Sequence, residues 1–130
     1  LKKENESDSV SFHSLVDEND LPELLARSSM QIIPQETGSS NGSLPSKLPN
    51  LLASGTKIFC ITDPGSELVD IMNRYSNGVA VQTWDMDVVV DSASKLLKAK
   101  VDVSEDKSLV EQFTITGLIS KLNLLLKGKV

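Results

Sequence analysis

A chain of 130 residues with 39% hydrophobic and 24% charged residues has room for one folded unit, and with only 4% aromatics its core must be aliphatic. Thirteen basic against 18 acidic residues give a net charge of −5 and a pI near 4.8, which argues against a nucleic-acid partner, since phosphate neutralisation needs a basic face. One cysteine (Cys60) excludes an internal disulfide, one histidine (His13) leaves no histidine-rich metal cluster, and no apolar run reaches the ~18–20 residues that cross a bilayer.

Leu1, followed by the charged run Lys2 to Glu6, reads as a cut inside a longer protein. Lys2 to Ser9 reads as a helix end or loop. Val10 and Phe12 alternate with Ser11 and His13, the period of a short half-buried strand. Asp17 to Asp20 is a polar loop, read as solvated rather than as a metal site. Asp20 stands three residues before Glu23, a capping-box spacing, with Pro22 in the first turn. A short helix ending near Arg27 follows. Met30 to Pro34 predicts a buried strand. Gln35 to Ser43, rich in glycine and serine, is a flexible loop.

The next helix is expected to begin near Ser46, since Pro49 is tolerated only in a first turn. Gly55 suits its end. Ile58 to Ile61 is a continuous apolar run, as in a strand covered on both faces. Asp63-Pro64-Gly65-Ser66 is a turn into a helix carrying Leu68, Val69, Ile71, Met72 and Tyr75. Val79 to Val81 predicts another buried strand. Asp85 caps a helix whose apolar positions are Met86, Val89, Val90, Ala93, Leu96 and Leu97. Ser104 to Phe113 predicts a short helix. Ile115, Leu118, Ile119, Leu122, Leu125 and Leu126 make an apolar stripe on a last helix closed by Gly128, read as core or else as crossing toward another domain of a longer protein and then partly exposed here.

This alternation of strand and helix defines an α/β fold with a parallel sheet. Ligands of such sheets bind beyond the carboxyl ends of the strands. That narrows the functional question to Gln35–Lys47, Asp63–Glu67 and Gln82–Asp85. The strongest candidate is Gly42-Ser43-Leu44-Pro45-Ser46-Lys47, which follows a strand and opens a helix. Free N–H groups, two hydroxyls and a lysine there suit a diphosphate. The spacing is not that of a P-loop. A serine-capped helix beside a solvated lysine is the plainer reading of the same residues. Asp63, Glu67, Asp85 and Asp87 have a similar plain reading as helix-entry caps. Trp84 either stacks on a ligand or packs over the sheet edge. His13 reads as a surface residue and Cys60 as an inert core thiol. Lys121, Lys127 and Lys129 favour an anionic lipid surface, although three lysines on a net-negative chain are a weak signal.

Asp20-Leu-Pro-Glu-Leu-Leu-Ala26, Ile32-Ile-Pro34 and Leu44-Pro-Ser-Lys-Leu-Pro-Asn-Leu-Leu-Ala-Ser-Gly55, continued by Asp63-Pro-Gly-Ser-Glu67, Gly78-Val-Ala-Val81 and Asp85, carry a resemblance. The chain resembles the C-terminal, donor-binding half of retaining glycosyltransferases with two Rossmann-like domains (GT-B type), nearest the exopolysaccharide or colanic-acid-type subgroup. The likeness spans Val10 to Leu97 and fades beyond. It implies a Rossmann-like three-layer parallel sheet with flanking helices, incomplete at its N-terminal side. All of residues 1–130 would then belong to one nucleotide-sugar-binding domain, with the acceptor-binding domain outside the sequence.

The resemblance places Gly42, Ser43, Ser46 and Lys47 at the diphosphate and sugar, and Asn50 at the ribose. Many members carry glutamate where this chain has Asn50 and Gly42. Glu36, Asp63 and Glu67 are further residues facing the cleft. No metal or other cofactor is expected, the nucleotide sugar being a substrate. The chain alone is expected to be inactive, because transfer needs both domains around one cleft. A cytoplasmic location, peripheral at the inner membrane surface, is expected. The family's missing first strand would leave Met30 to Ile33 as an unpaired edge open to self-association or to pairing with Val10 to Phe12. The competing class is a non-catalytic α/β module for protein interaction or anion-dependent regulation.

Overall fold

The computed structural model describes residues 9–40, 42–102 and 107–128. Its elements run α1 (Leu21–Arg27), β1 (Gln31–Pro34), α2 (Leu48–Ser54), β2 (Ile58–Ile61), α3 (Glu67–Arg74), β3 (Gly78–Val81), α4 (Met86–Lys98), α5 (Lys107–Glu111) and α6 (Ile115–Lys127). The three strands form one parallel sheet in the order β1-β2-β3, with Ile32 beside Phe59 and Phe59 beside Val79. The fold is therefore α/β and Rossmann-like, with helices on both faces of a short, incomplete sheet.

Burial explains why each segment took its form. The residues of β2 are buried on both faces, so a continuous apolar run suits it. On one face Ile33, Ile58 and Cys60 meet Leu48, Leu51 and Leu52 of α2 and Leu68, Ile71 and Met72 of α3. Two crossovers of the same hand put α2 and α3 on that same face. On the other face Phe59, Ile61 and Val81 meet Val89 and Leu96 of α4. Lys57 closes the amino end of the sheet, and its Nζ donates to the carbonyls of Leu97 and Ala99. Gly78 is closely packed, and a Cβ there would lie 2.7 Å from Met72 Sδ and 3.0 Å from Tyr75 Cδ1.

Several helix boundaries agree with their sequence signals. Pro49 lies in the first turn of α2, and Gly55 ends it with a left-handed φ of 69°. Ser66 caps α3 by accepting from the Leu68 N–H, and Asp85 caps α4 by accepting from the Asp87 and Val88 N–H groups.

Other expectations are corrected. Val10 to Phe12 is not a strand; Phe12 is 83% exposed, and among the described residues no strand pairs with the segment to stabilise an extended form. The sheet among the described residues thus has three strands where the sequence suggested four. Asp20 precedes α1 in a helical conformation and makes no side-chain cap, while Glu23 pairs with Arg27 instead of closing a capping box. α2 starts at Leu48 rather than near Ser46, because Ser46 and Lys47 form a turn in which the Leu48 N–H bonds the Pro45 carbonyl.

The burial predicted for two strands is also corrected. β1 buries Ile33 but leaves Ile32 50% exposed, because α4 covers β2 and β3 and stops short of the edge. β3, at the other edge, is fully buried only at Val81. On α4 the expected apolar positions Met86, Val90 and Leu97 face solvent. α5 spans Lys107–Glu111, shorter than predicted at Phe113. The predicted start at Ser104, the segment Lys2 to Asp8 and Lys129 lie outside the described residues. The stripe on α6 is not core: the helix has no buried residue.

Candidate functional site

The loops after β1 and β2, at the carboxyl ends of the strands, are tied to one another by side chains. Gln35, the first residue after β1, is buried. Its Oε1 accepts from Thr62 Oγ1 at 2.6 Å and from Ser66 Oγ at 3.5 Å. Its Nε2 donates to the Ser43 carbonyl at 3.1 Å. One amide therefore fastens the loop after β1 to the loop after β2 and to the cap of α3. Asp63 adds a second tie, accepting from the Gly38 N–H and from Ser40 Oγ, both at 2.8 Å. These two bonds, the Ser40 hydroxyl first, hold the Asp63 carboxyl below the usual carboxylate range.

Those ties fix the approach to α2. Gly42 takes a left-handed φ of 73°, which turns the chain toward Ser43. Gly42, Ser43, Ser46 and Lys47 are all exposed. Lys47 is the residue that caps α2, without a side-chain cap bond, and the Leu48 N–H is taken by the Pro45 carbonyl. Since α2 is only seven residues long, the hydroxyls and the lysine charge, rather than a helix dipole, are what this loop offers an anion.

The structure separates the remaining predicted residues. Glu36 shares an open cavity of about 610 Å³ with Pro34, Thr37 and Trp84, above the ends of β1 and β3. Asn50 lies elsewhere, in a groove of about 480 Å³ between α1 and α2 lined by Leu21, Pro22, Leu25 and Ala53. Asp63 is partly exposed and engaged with the loop after β1, not with a helix end. Glu67 opens α3 and points into solvent. Cys60 lies in the core, where burial pushes its thiol up to about 12 against a smaller opposing effect of Lys47. His13 is exposed and bonded to Ser11 Oγ at 2.9 Å. Among the described residues no three His, Cys, Asp or Glu side chains are grouped to hold a metal ion.

Sequence reasoning did not single out Gln35, Thr62 and Ser40. The available signal was a polar residue directly after each apolar strand run, where a buried side chain must find hydrogen-bond partners in neighbouring loops. The pairing of Glu36 with Trp84 was also missed, since 48 residues of sequence separate the two and only the sheet brings them together.

No family model matches the chain, and neither a curated protein nor a solved structure matches it.

Proposed function

We propose that this chain is the donor-binding part of a glycosyltransferase that moves a sugar from a nucleotide diphosphate sugar to a saccharide or lipid-linked acceptor in polysaccharide biosynthesis. The reading rests on the resemblance through Leu44–Gly55 and on one structural observation. The Gln35 amide fastens the Gly42–Lys47 loop over the carboxyl ends of a parallel sheet, leaving Ser43, Ser46 and Lys47 exposed there. In this reading the two hydroxyls and the lysine meet the diphosphate. Lys47 then stabilises the charge that develops on the leaving nucleoside diphosphate as the sugar departs. Glu36, beside Trp84, accepts from sugar hydroxyls. The acceptor comes from a second domain, so the isolated chain binds donor without transferring it. The parent enzyme works in the cytoplasm, peripheral to the inner membrane surface. No described helix is long and apolar enough to cross a membrane.

A second reading has its own support. The polar side chains Gln35, Ser40, Asp63 and Ser66 satisfy one another across the loops rather than facing an open cleft. That suits a non-catalytic module binding small anions or a protein partner. One titration separates the two: UDP, GDP, ADP and inorganic phosphate against the chain, Ser46→Ala and Lys47→Ala. The donor reading expects one diphosphate preferred over the others, with affinity falling about tenfold or more in each variant. Phosphate bound as well as every diphosphate, with no base preference, would support the module instead.

A further inference from the structure

Helix α6 carries an apolar surface that the fold leaves uncovered. Ile115, Leu118, Ile119, Leu122, Leu125 and Leu126 recur at helical spacing and form one stripe along ~20 Å. Each is 48–79% exposed. The opposite side of the helix, with Gly117, Ser120, Lys121 and Leu124, borders a groove shared with Ser108 and Glu111. The close approach there needs Gly117, because a Cβ would lie 1.8 Å from the Glu111 carbonyl oxygen. The helix thus meets the turn before it at Gly117, and from Leu118 onward all of its residues are exposed.

Charge is segregated along the chain. Residues 112–130 hold three lysines and no acidic side chain, whereas residues 1–111 hold 18 acidic and 10 basic ones. At 100° per residue, Lys121 lies about 40° beyond one edge of the stripe and Lys127 about 80° beyond the other, and both are exposed.

We propose that α6 docks on an anionic phospholipid surface, with its stripe at the acyl boundary and its lysines among the headgroups. Thirteen residues cannot span a bilayer, so the helix lies in the plane of the interface. The acidic body is repelled by the same surface, so docking through α6 fixes which side of the molecule faces the membrane.

A second copy of the chain is the competing occupant. The exposed apolar surface that could receive α6 would have to draw on Met86, Val90 and Leu97 of α4 and on Ile32 of β1. Its carboxylates lie on α4 only, β1 contributes none, and Asp91 is already paired with Lys95 at 2.7 Å. An anionic bilayer offers partners to both lysines at once, and that decides the choice.

The test is co-sedimentation of the full chain with vesicles of phosphatidylcholine alone or with about one-third phosphatidylglycerol. Binding is expected to the anionic vesicles only, with release at high salt. Lys121→Glu/Lys127→Glu should weaken it by about tenfold or more, since each lysine near such a surface is worth roughly fivefold. Ile119→Asp/Leu122→Asp should abolish it while helical circular dichroism and Trp84 emission stay unchanged. Four results would overturn the proposal: no binding to anionic vesicles, equal binding to neutral ones, full binding by either double variant, or a dimer that protects the stripe and stays off the vesicles. The nucleotide titration is independent of all four, so the donor reading and this one can fail separately.

Discussion

Lys57 is buried at 6% exposure, which for a lysine demands compensation. Its Nζ reaches the Leu97 and Ala99 carbonyls at 2.6 and 2.5 Å, at the negative end of α4. One charge thus locks the end of a helix to the start of the central strand. Replacing it by methionine keeps the apolar stem and strips two buried carbonyls of their donor. Lys57→Met is expected to lower unfolding stability by about 1–3 kcal/mol, read from the urea midpoint at constant slope. A variant as stable as the parent would show the contact to be energetically idle. In the sequence Lys57 is only a charged residue before an apolar run. Gln35 is equally unremarkable there, yet it is the junction of three segments. Neither role follows from residue type, because each depends on which distant carbonyl or hydroxyl the fold brings near. Cys60, by contrast, was legible: an apolar run around a lone cysteine means a protonated, unreactive thiol, and burial keeps it so.

At the scale of elements, the loop after β1 is held by the Asp63 carboxylate through the Ser40 hydroxyl and the Gly38 N–H. Both bonds favour the ionised form and lower the group below its ordinary value of 3.8. A lowered carboxyl contributes its full tie above the unfolded value and loses it as pH falls through the folded one. The loop is therefore expected to stay fastened at neutral pH and to loosen only in acid. In a pH titration followed by NMR, the Gly38 amide proton should shift with a midpoint below 3.8. A midpoint at or above that value would remove the tie.

Where elements were read correctly, the signals were local: Asp85 as a cap, Asp63–Ser66 as a turn into a helix, Pro49 in a first turn, Gly55 at a helix end. Where they were not, a tertiary partner was missing. Val10 to Phe12 has the alternation of a strand but no pairing partner among the described residues, and Asp20 has the spacing of a cap without its geometry.

For the molecule as a whole, the sheet ends at β1, which pairs with β2 alone among the described strands and half exposes Ile32. Its outer backbone groups form a template for another chain, and at Pro34 no N–H is available to extend the ladder. Concentration-dependent self-association through β1 is expected in light scattering, with Ile32→Lys restoring the monomer. A single monomeric species at every concentration, or self-association unchanged by Ile32→Lys, would argue against a β1 interface.

Sequence alone determined the class of the fold, since period and caps are set by neighbours three or four residues apart. It also brought the search to the loops that end the strands, because α/β topology fixes where those loops gather. Only the tertiary structure decided which side chains meet there, that Asn50 falls in a different groove from Glu36, and that Trp84 stands beside Glu36. It likewise decided that the stripe on α6 faces outward. An apolar face looks the same in sequence whether a core covers it or not, and packing alone supplies or withholds the cover.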